Sequence, residues 1–277
     1  MRINIYIGLT ALIGALAGLS LLLSLPSTTP YSILNTGSDG LSTLNEAARP
    51  DIVTSYSELS NIDPQGMVLI TMRSSVIELS EALYLRSYLE KGGIAIAFGS
   101  TSFLNSLLEN MGLPDRLNES IIYDVVFNNG DREHPVAYVP TCDLQVILHE
   151  PRAFNNFTGK PIIHTSNISY LDANCNGYLD IGESIASSIV GVEYGIGGGR
   201  LIIVSSSEVF TNSLMDVNKG FLECIKQGRD IIIDQAVVKG NVIEYLKLLG
   251  SYRKLYILFI TFIVVLASLV IYYASRS

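Results

Sequence analysis

Apolar positions along this chain fall into two regimes. Long uncharged apolar runs occupy residues 5–25 and 255–274, and each is long enough to cross a bilayer. Arg253, Lys254 and Arg276 flank the second, with Tyr252, Tyr256, Tyr272 and Tyr273 near its ends, as at a membrane interface. The first exceeds the apolar core of a signal peptide, and no A-x-A site follows it, so a retained anchor is expected rather than a cleaved leader. Arg2 precedes that run and no Lys or Arg follows before Arg49, which places the N-terminus inside and the middle of the chain outside; Arg253 and Lys254 argue the other way for the second run, but the first usually dominates. The expectation is a two-pass membrane protein: anchor 1–25, linker 26–34, external domain 35–250, second span 255–274, both termini cytoplasmic. Gly14 and Gly18, four apart in the first run, suit close helix approach and weak homo-oligomerisation.

Between the runs the periods are shorter. Residues 67–72, apolar but for Thr71, and 94–98 are near-continuous apolar stretches, the pattern of strands buried on both faces. Ile77, Ala82, Leu85 and Leu89 share a helical face in residues 76–91, which Gly92 and Gly93 end. A helix over 102–111 follows. Strand–helix–strand–helix order implies a parallel sheet flanked by helices. Strands are expected near 121–127, 136–139, 144–148, 161–164, 188–194, 201–205 and 231–234, and helices near 41–48, 208–215, 219–226 and 242–249. The glycines at 195 and 197–199 open a strand instead of a helix, so they read as a hairpin turn and not a dinucleotide fingerprint. The fold class is α/β, a mainly parallel flavodoxin- or amidotransferase-like sheet with a β-hairpin and a calcium-loop insertion, between two transmembrane helices.

Composition narrows the partners. The chain has 277 residues and a formal net charge of -8, which argues against nucleic acid. Its three cysteines, Cys142, Cys175 and Cys224, have no paired metal spacing; a Cys142–Cys224 bridge is one option that sequence leaves open. Sequons at Asn118, Asn156 and Asn167 are no more than this composition yields by chance.

The most specific motif is Asp172-Ala-Asn-Cys-Asn-Gly-Tyr-Leu-Asp-Ile-Gly-Glu183, a full match to the calcium-loop pattern. Asp172, Asn174 and Asn176 stand at positions one, three and five, Tyr178 offers a carbonyl at seven, Asp180 stands at nine and Glu183 at twelve. The cofactor implied is Ca2+. An Asn/Asp-rich surface turn uses the same residue types. The approach to the loop reads as extended, not as the helix of an EF-hand pair. Other chemistry is thinner. Ser100, in Phe98-Gly-Ser-Thr-Ser102, is a weak candidate nucleophile, or a helix cap. His134, His149 and His164 have no ligand spacing, though a metal site with Asp131, Asp143 or Glu150 is conceivable. Ser205, Ser206, Ser207 and Glu208 follow a strand, at the edge where such sheets bind ligands, or cap a helix. Ser38 or Asp39 is expected to cap the helix after the loop Asn35-Thr-Gly-Ser-Asp-Gly40, although that loop also suits an anion.

Several pieces recur together in a known family. They are Tyr31-Ser-Ile-Leu-Asn-Thr-Gly-Ser-Asp-Gly40, Leu85-Arg-Ser-Tyr-Leu-Glu-Lys-Gly-Gly93, His134-Pro-Val136, Glu193-Tyr-Gly-Ile-Gly-Gly-Gly-Arg-Leu-Ile-Ile-Val204 and Phe210-Thr-Asn212. Their order resembles an uncharacterised family of membrane-anchored prokaryotic, notably archaeal, proteins with a class I glutamine-amidotransferase-like domain. That family is related to the auxiliary domain of gliding-motility-type ABC transport systems. The resemblance implies a fold, a location and a partner in a transporter or envelope complex, but no settled activity. The chain lacks the Gly-x-Cys-x-Gly turn of true amidotransferases. The leading expectation is therefore a non-enzymatic binding or scaffold module with an unknown protein partner. The alternatives are a hydrolase relative using Ser100 and a purely structural envelope component.

Overall fold

The structure, a computed structural model, describes residues 25–253 throughout, with isolated helical positions between 11 and 23 and between 262 and 265. It divides into two compact units, Pro30–Val237 on one hand and Met1–Thr29 with Val238–Ser277 on the other. Most of the two long apolar runs lies outside the described residues. Among the described residues no helix is long and apolar enough to cross a membrane. The expected pair of transmembrane helices, and the two-pass placement with an external middle domain, are therefore corrected: the structure gives them no support. Gly14 and Gly18 stand at helical positions with nothing within 4 Å of where a Cβ would lie.

Twelve strands and four helices make up Pro30–Val237. Strands β2 (Met67–Arg73) and β3 (Ile94–Gly99) are buried almost end to end, as their largely apolar runs require. They pair in parallel with each other, β2 with β12 (Asp230–Asp234), β12 with β1 (Asp51–Val53), and β3 with β11 (Gly199–Val204). Helices α2 (Leu79–Glu90) and α3 (Thr101–Asn110) pack on one face; Leu85 and Leu89 of α2 and Phe103 and Leu107 of α3 meet Leu69, Ala97 and Ile203. On the other side, Phe98 abuts Phe210, which stacks on Phe221 of helix α4 (Met215–Lys226), with centroids 5.6 and 5.8 Å apart. α1 (Ser42–Ala48) also contacts α4.

The mainly parallel sheet is a correction. The large sheet runs β1-β12-β2-β3-β11-β10-β8-β5-β6. From β11 outward, through β10 (Ile189–Ile196), β8 (Lys160–His164), β5 (Val136–Val139) and β6 (Leu144–Ile147), every pairing is antiparallel. Four neighbour pairings are parallel and four antiparallel, so the sheet is mixed. The cause is the segment after α3, which contains no crossover helix. It builds hairpins, and a second antiparallel sheet β7-β4-β9 from Arg152–Phe154, Leu117–Tyr123 and Tyr170–Asp172. The hairpin expected around Gly197 is present: β10 and β11 pair up to Ile196 and Gly199, and Gly197 takes φ +58°, which a glycine adopts freely. The helix expected over 208–215 is absent; turns lead into α4 instead.

The edge strand β6 is tied to α4 twice. The buried Asn218 accepts the Ile147 N–H and donates to the Ile147 carbonyl, both at 2.8 Å, as a neighbouring strand would. Cys142 and Cys224 form a disulfide with Cα atoms 6.2 Å apart. In the other unit, helix α5 (Val242–Arg253) carries an ion pair between Lys247 and Glu244 at 2.9 Å.

Candidate functional site

Loops gather where β3 and β11 end. A cleft of about 170 Å³ opens there between Gly99, Ser100, Thr101, Leu104, Glu150, Arg152 and the serines 205–207. Gly99 must be glycine: its φ is +139°, and a Cβ would come within 2.4 Å of the Arg73 carbonyl. Ser100 caps α3, its hydroxyl accepting the Phe103 N–H at 3.2 Å and donating to the Ser74 carbonyl at 3.1 Å. No histidine is among its hydrogen-bond partners. The serine run has a positioning task too. Ser205 Oγ accepts the Arg152 N–H and Ser206 Oγ the His149 N–H, at 2.8 and 2.9 Å, which pins residues 149–152 to the end of β11. His149 Nδ1 meets Ser207 Oγ at 2.9 Å and lies 3.6 Å from Glu208.

A hairpin brings a second group to this rim. β5 pairs with β6 at Val136 and Ile147, and the Glu150 N–H donates to the Glu133 carbonyl at 2.9 Å. Continuing that register outward sets His134 opposite His149 and Glu133 opposite Glu150. The imidazole ring centroids lie 4.8 Å apart with the planes tilted by 34°, and His134 Nδ1 contacts Asp131 at 2.8 Å. Burial opposes ionisation of the Asp131 carboxyl, but the hydrogen bond and charge of His134 outweigh it and hold its pKa below the usual range. One ligand atom each from Glu133, His149 and Glu150 lies within 4.8 Å of the others. Tyr123 records the field nearby: burial, then the charges of Glu150, Glu133 and Asp172, push its phenol up.

The sequence anticipated parts of this arrangement. His134 and His149 do meet, beside Asp131 and Glu150. His164 lies apart, lining another recess with Tyr138 and Phe127, and Asp143 accepts the Tyr138 hydroxyl. Glu133 was missed, and the signal that finds it is the hairpin register, not the spacing between residues. The loop at residues 35–40 is filled from within: Asn212 accepts the Thr43 N–H at 2.8 Å and donates to the carbonyls of Asn35 and Gly37. Neither Ser38 nor Asp39 caps α1.

The twelve-residue loop leaves a strand, as its extended approach suggested, because Asp172 ends β9. Gly177 turns at φ +78°. Asp172, fully buried, accepts the Gly177 N–H at 2.6 Å, and Glu183 accepts the N–H groups of Ala173 and Asp180. Arg132 lies over the Tyr178 ring at 5.2 Å and the Tyr123 ring at 5.3 Å. The loop's polar side chains bond to one another. Asn174 and Asn176 turn their amide nitrogens onto Asp180, each at 2.7 Å, while their oxygens accept backbone N–H groups. The loop closes on its own donors. Its residue set still fits a calcium ion, being all oxygen donors with three carboxylates.

No family model matches the chain, and no curated protein does. Among solved structures, the mmIFT52 N-terminal domain is 14% identical over 63% of this chain and 80% of that one, with a TM-score of 0.47. A beta-galactosidase from Bacillus circulans sp. alkalophilus is 12% identical with a TM-score of 0.39, and the GH42 beta-galactosidase Gan42B is 10% identical with a TM-score of 0.39. The chain covers 23% of each of those two enzymes. These likenesses are too distant to carry an argument about the site. None names an amidotransferase, so the amidotransferase-like reading gains no support from them.

Proposed function

We propose that this protein is a non-enzymatic binding module that takes a protein partner through the loop after β4. The observation that carries this is a run of apolar side chains held out in solvent. Val125, Val126 and Phe127 are each more than half exposed. Their backbone is nonetheless fixed, because the buried Asp124 accepts the N–H groups of Val126 and Phe127 at 2.9 and 2.7 Å. Asn128 donates back to the Asp124 carbonyl, and Val136 donates to the Phe127 carbonyl. An ordered loop that presents contiguous apolar surface suits a partner groove, and little of its contact would be spent on ordering. The hydrolase alternative lacks its central contact, since Ser100 is engaged as a cap.

Calcium belongs to the same reading as a support for the rim. Asp172, Asn174, Asn176, Asp180, Glu183 and the Tyr178 carbonyl would hold it once the two amides rotate off Asp180. The test of the binding role is co-purification from native extract of the wild type and of the double variant Val126→Asp, Phe127→Asp. Both side chains are exposed, so the fold is expected to survive. Loss of a specific co-purifying protein from the variant supports the reading. An identical set of bound proteins from a folded variant removes it.

A further inference from the structure

We propose that Glu133, His149 and Glu150 form a binding site for a divalent first-row metal of the zinc class, separate from the twelve-residue loop. Three observations converge. The first is distance: a ligand atom from each residue lies within 4.8 Å of the other two, so a small displacement would close them on one ion.

The second is charge. The Glu150 N–H donates to the Glu133 carbonyl, and a carboxylate oxygen of each residue lies within 4.8 Å of the other's, where like charges repel. Among the described residues neither carboxylate has an ion pair or a side-chain hydrogen bond. Arg152 lines the same cleft as Glu150 without pairing with it, and its Nη1 is buried with no partner. A bound cation would relieve the repulsion between the glutamates.

The third is the histidine. His149 Nδ1 is taken by Ser207, with Glu208 behind it, and the ring lies against the tilted ring of His134. That leaves Nε2 for a metal, the usual arrangement in which a ligating imidazole gives its other ring nitrogen to a hydroxyl or carboxylate. Ser206 fixes the His149 backbone as well. Nitrogen with two carboxylate oxygens suits zinc or manganese, and three protein ligands leave a coordination position open. Because Glu150 also lines the Ser100–Arg152 cleft, the open position would be reached from that cleft by an anionic or carbonyl ligand.

The experiment titrates the full chain with zinc chloride by calorimetry and repeats it with Glu133→Gln, His149→Gln and Glu183→Gln. The expected result is one zinc per chain, with affinity lowered at least about tenfold by either of the first two variants and unchanged by Glu183→Gln. Glu133→Gln also separates a ligand role from a structural one. Without metal, removing one of two opposed charges should raise the melting temperature, while zinc should now stabilise the protein less than it does the wild type. The proposal is overturned if the folded wild type binds no zinc. It is equally overturned if Glu133→Gln and His149→Gln bind zinc like the wild type.

Discussion

Asn212 shows how one side chain can join distant parts of a fold. It caps α1 from 169 residues away, through the Thr43 N–H, and satisfies two carbonyls of the loop before that helix. Its own N–H donates to the Gly40 carbonyl. Asn212→Ala removes the cap and two amide donors and should cost roughly 2–3 kcal/mol of stability, read from urea unfolding. Asn212→Asp keeps the cap acceptor but turns an anion toward two carbonyl oxygens, so it should rescue little of that loss. A change below about 0.5 kcal/mol for the alanine variant would mean that the loop stands without this side chain. No local pattern announces the contact. Ser38 and Asp39 were nearer and of the right type, and only the tertiary fold brings residue 212 to them.

Elements with strong local periodicity were legible, and those that depend on pairing were not. α2 and the buried strands β2 and β3 follow directly from apolar spacing, and the β10–β11 turn from its glycines. The antiparallel half of the sheet was not legible as such, because short apolar strands look alike whichever direction their neighbours run. The metal-ligand group was hidden for a related reason. Glu133 and Glu150 become neighbours only through a hairpin register, which no fixed spacing announces. The twelve-residue loop is the opposite case, since its pattern is local. Its occupancy is a matter for measurement. Two neutral Asn ligands argue for a dissociation constant on the order of 10⁻⁴ M, so 1 mM calcium would add about 1.4 kcal/mol. That corresponds to a melting rise of roughly 3–6 °C, largely lost in Glu183→Gln. Equal melting temperatures with calcium and with chelator would mean that the Asn–Asp180 bonds alone close the loop.

At the scale of the whole molecule, the open question is what holds the antiparallel half against the parallel half. β5 and β6 lie at the far edge of the sheet, where strand pairing alone leaves one side unsatisfied. Asn218 covers Ile147, and the Cys142–Cys224 disulfide closes a loop with a sequence separation of 82. In the chain-entropy picture a loop of that length stabilises by at most about 4–5 kcal/mol, and native bonds commonly deliver 2–4. For a unit the size of Pro30–Val237, that is a fall in melting temperature of roughly 5–15 °C on reduction. The fold itself should persist, because Asn218 and Phe221 still dock α4 from within. Alkylation of the native protein followed by mass analysis decides whether the bond is present. Cys175 is free and exposed, so one cysteine should be labelled before reduction and all three after it. If all three label without reductant, the bond is absent and the far edge rests on Asn218. If the bond is present but reduction leaves the melting temperature unchanged, side-chain docking by α4 suffices, and the disulfide adds no measurable stability.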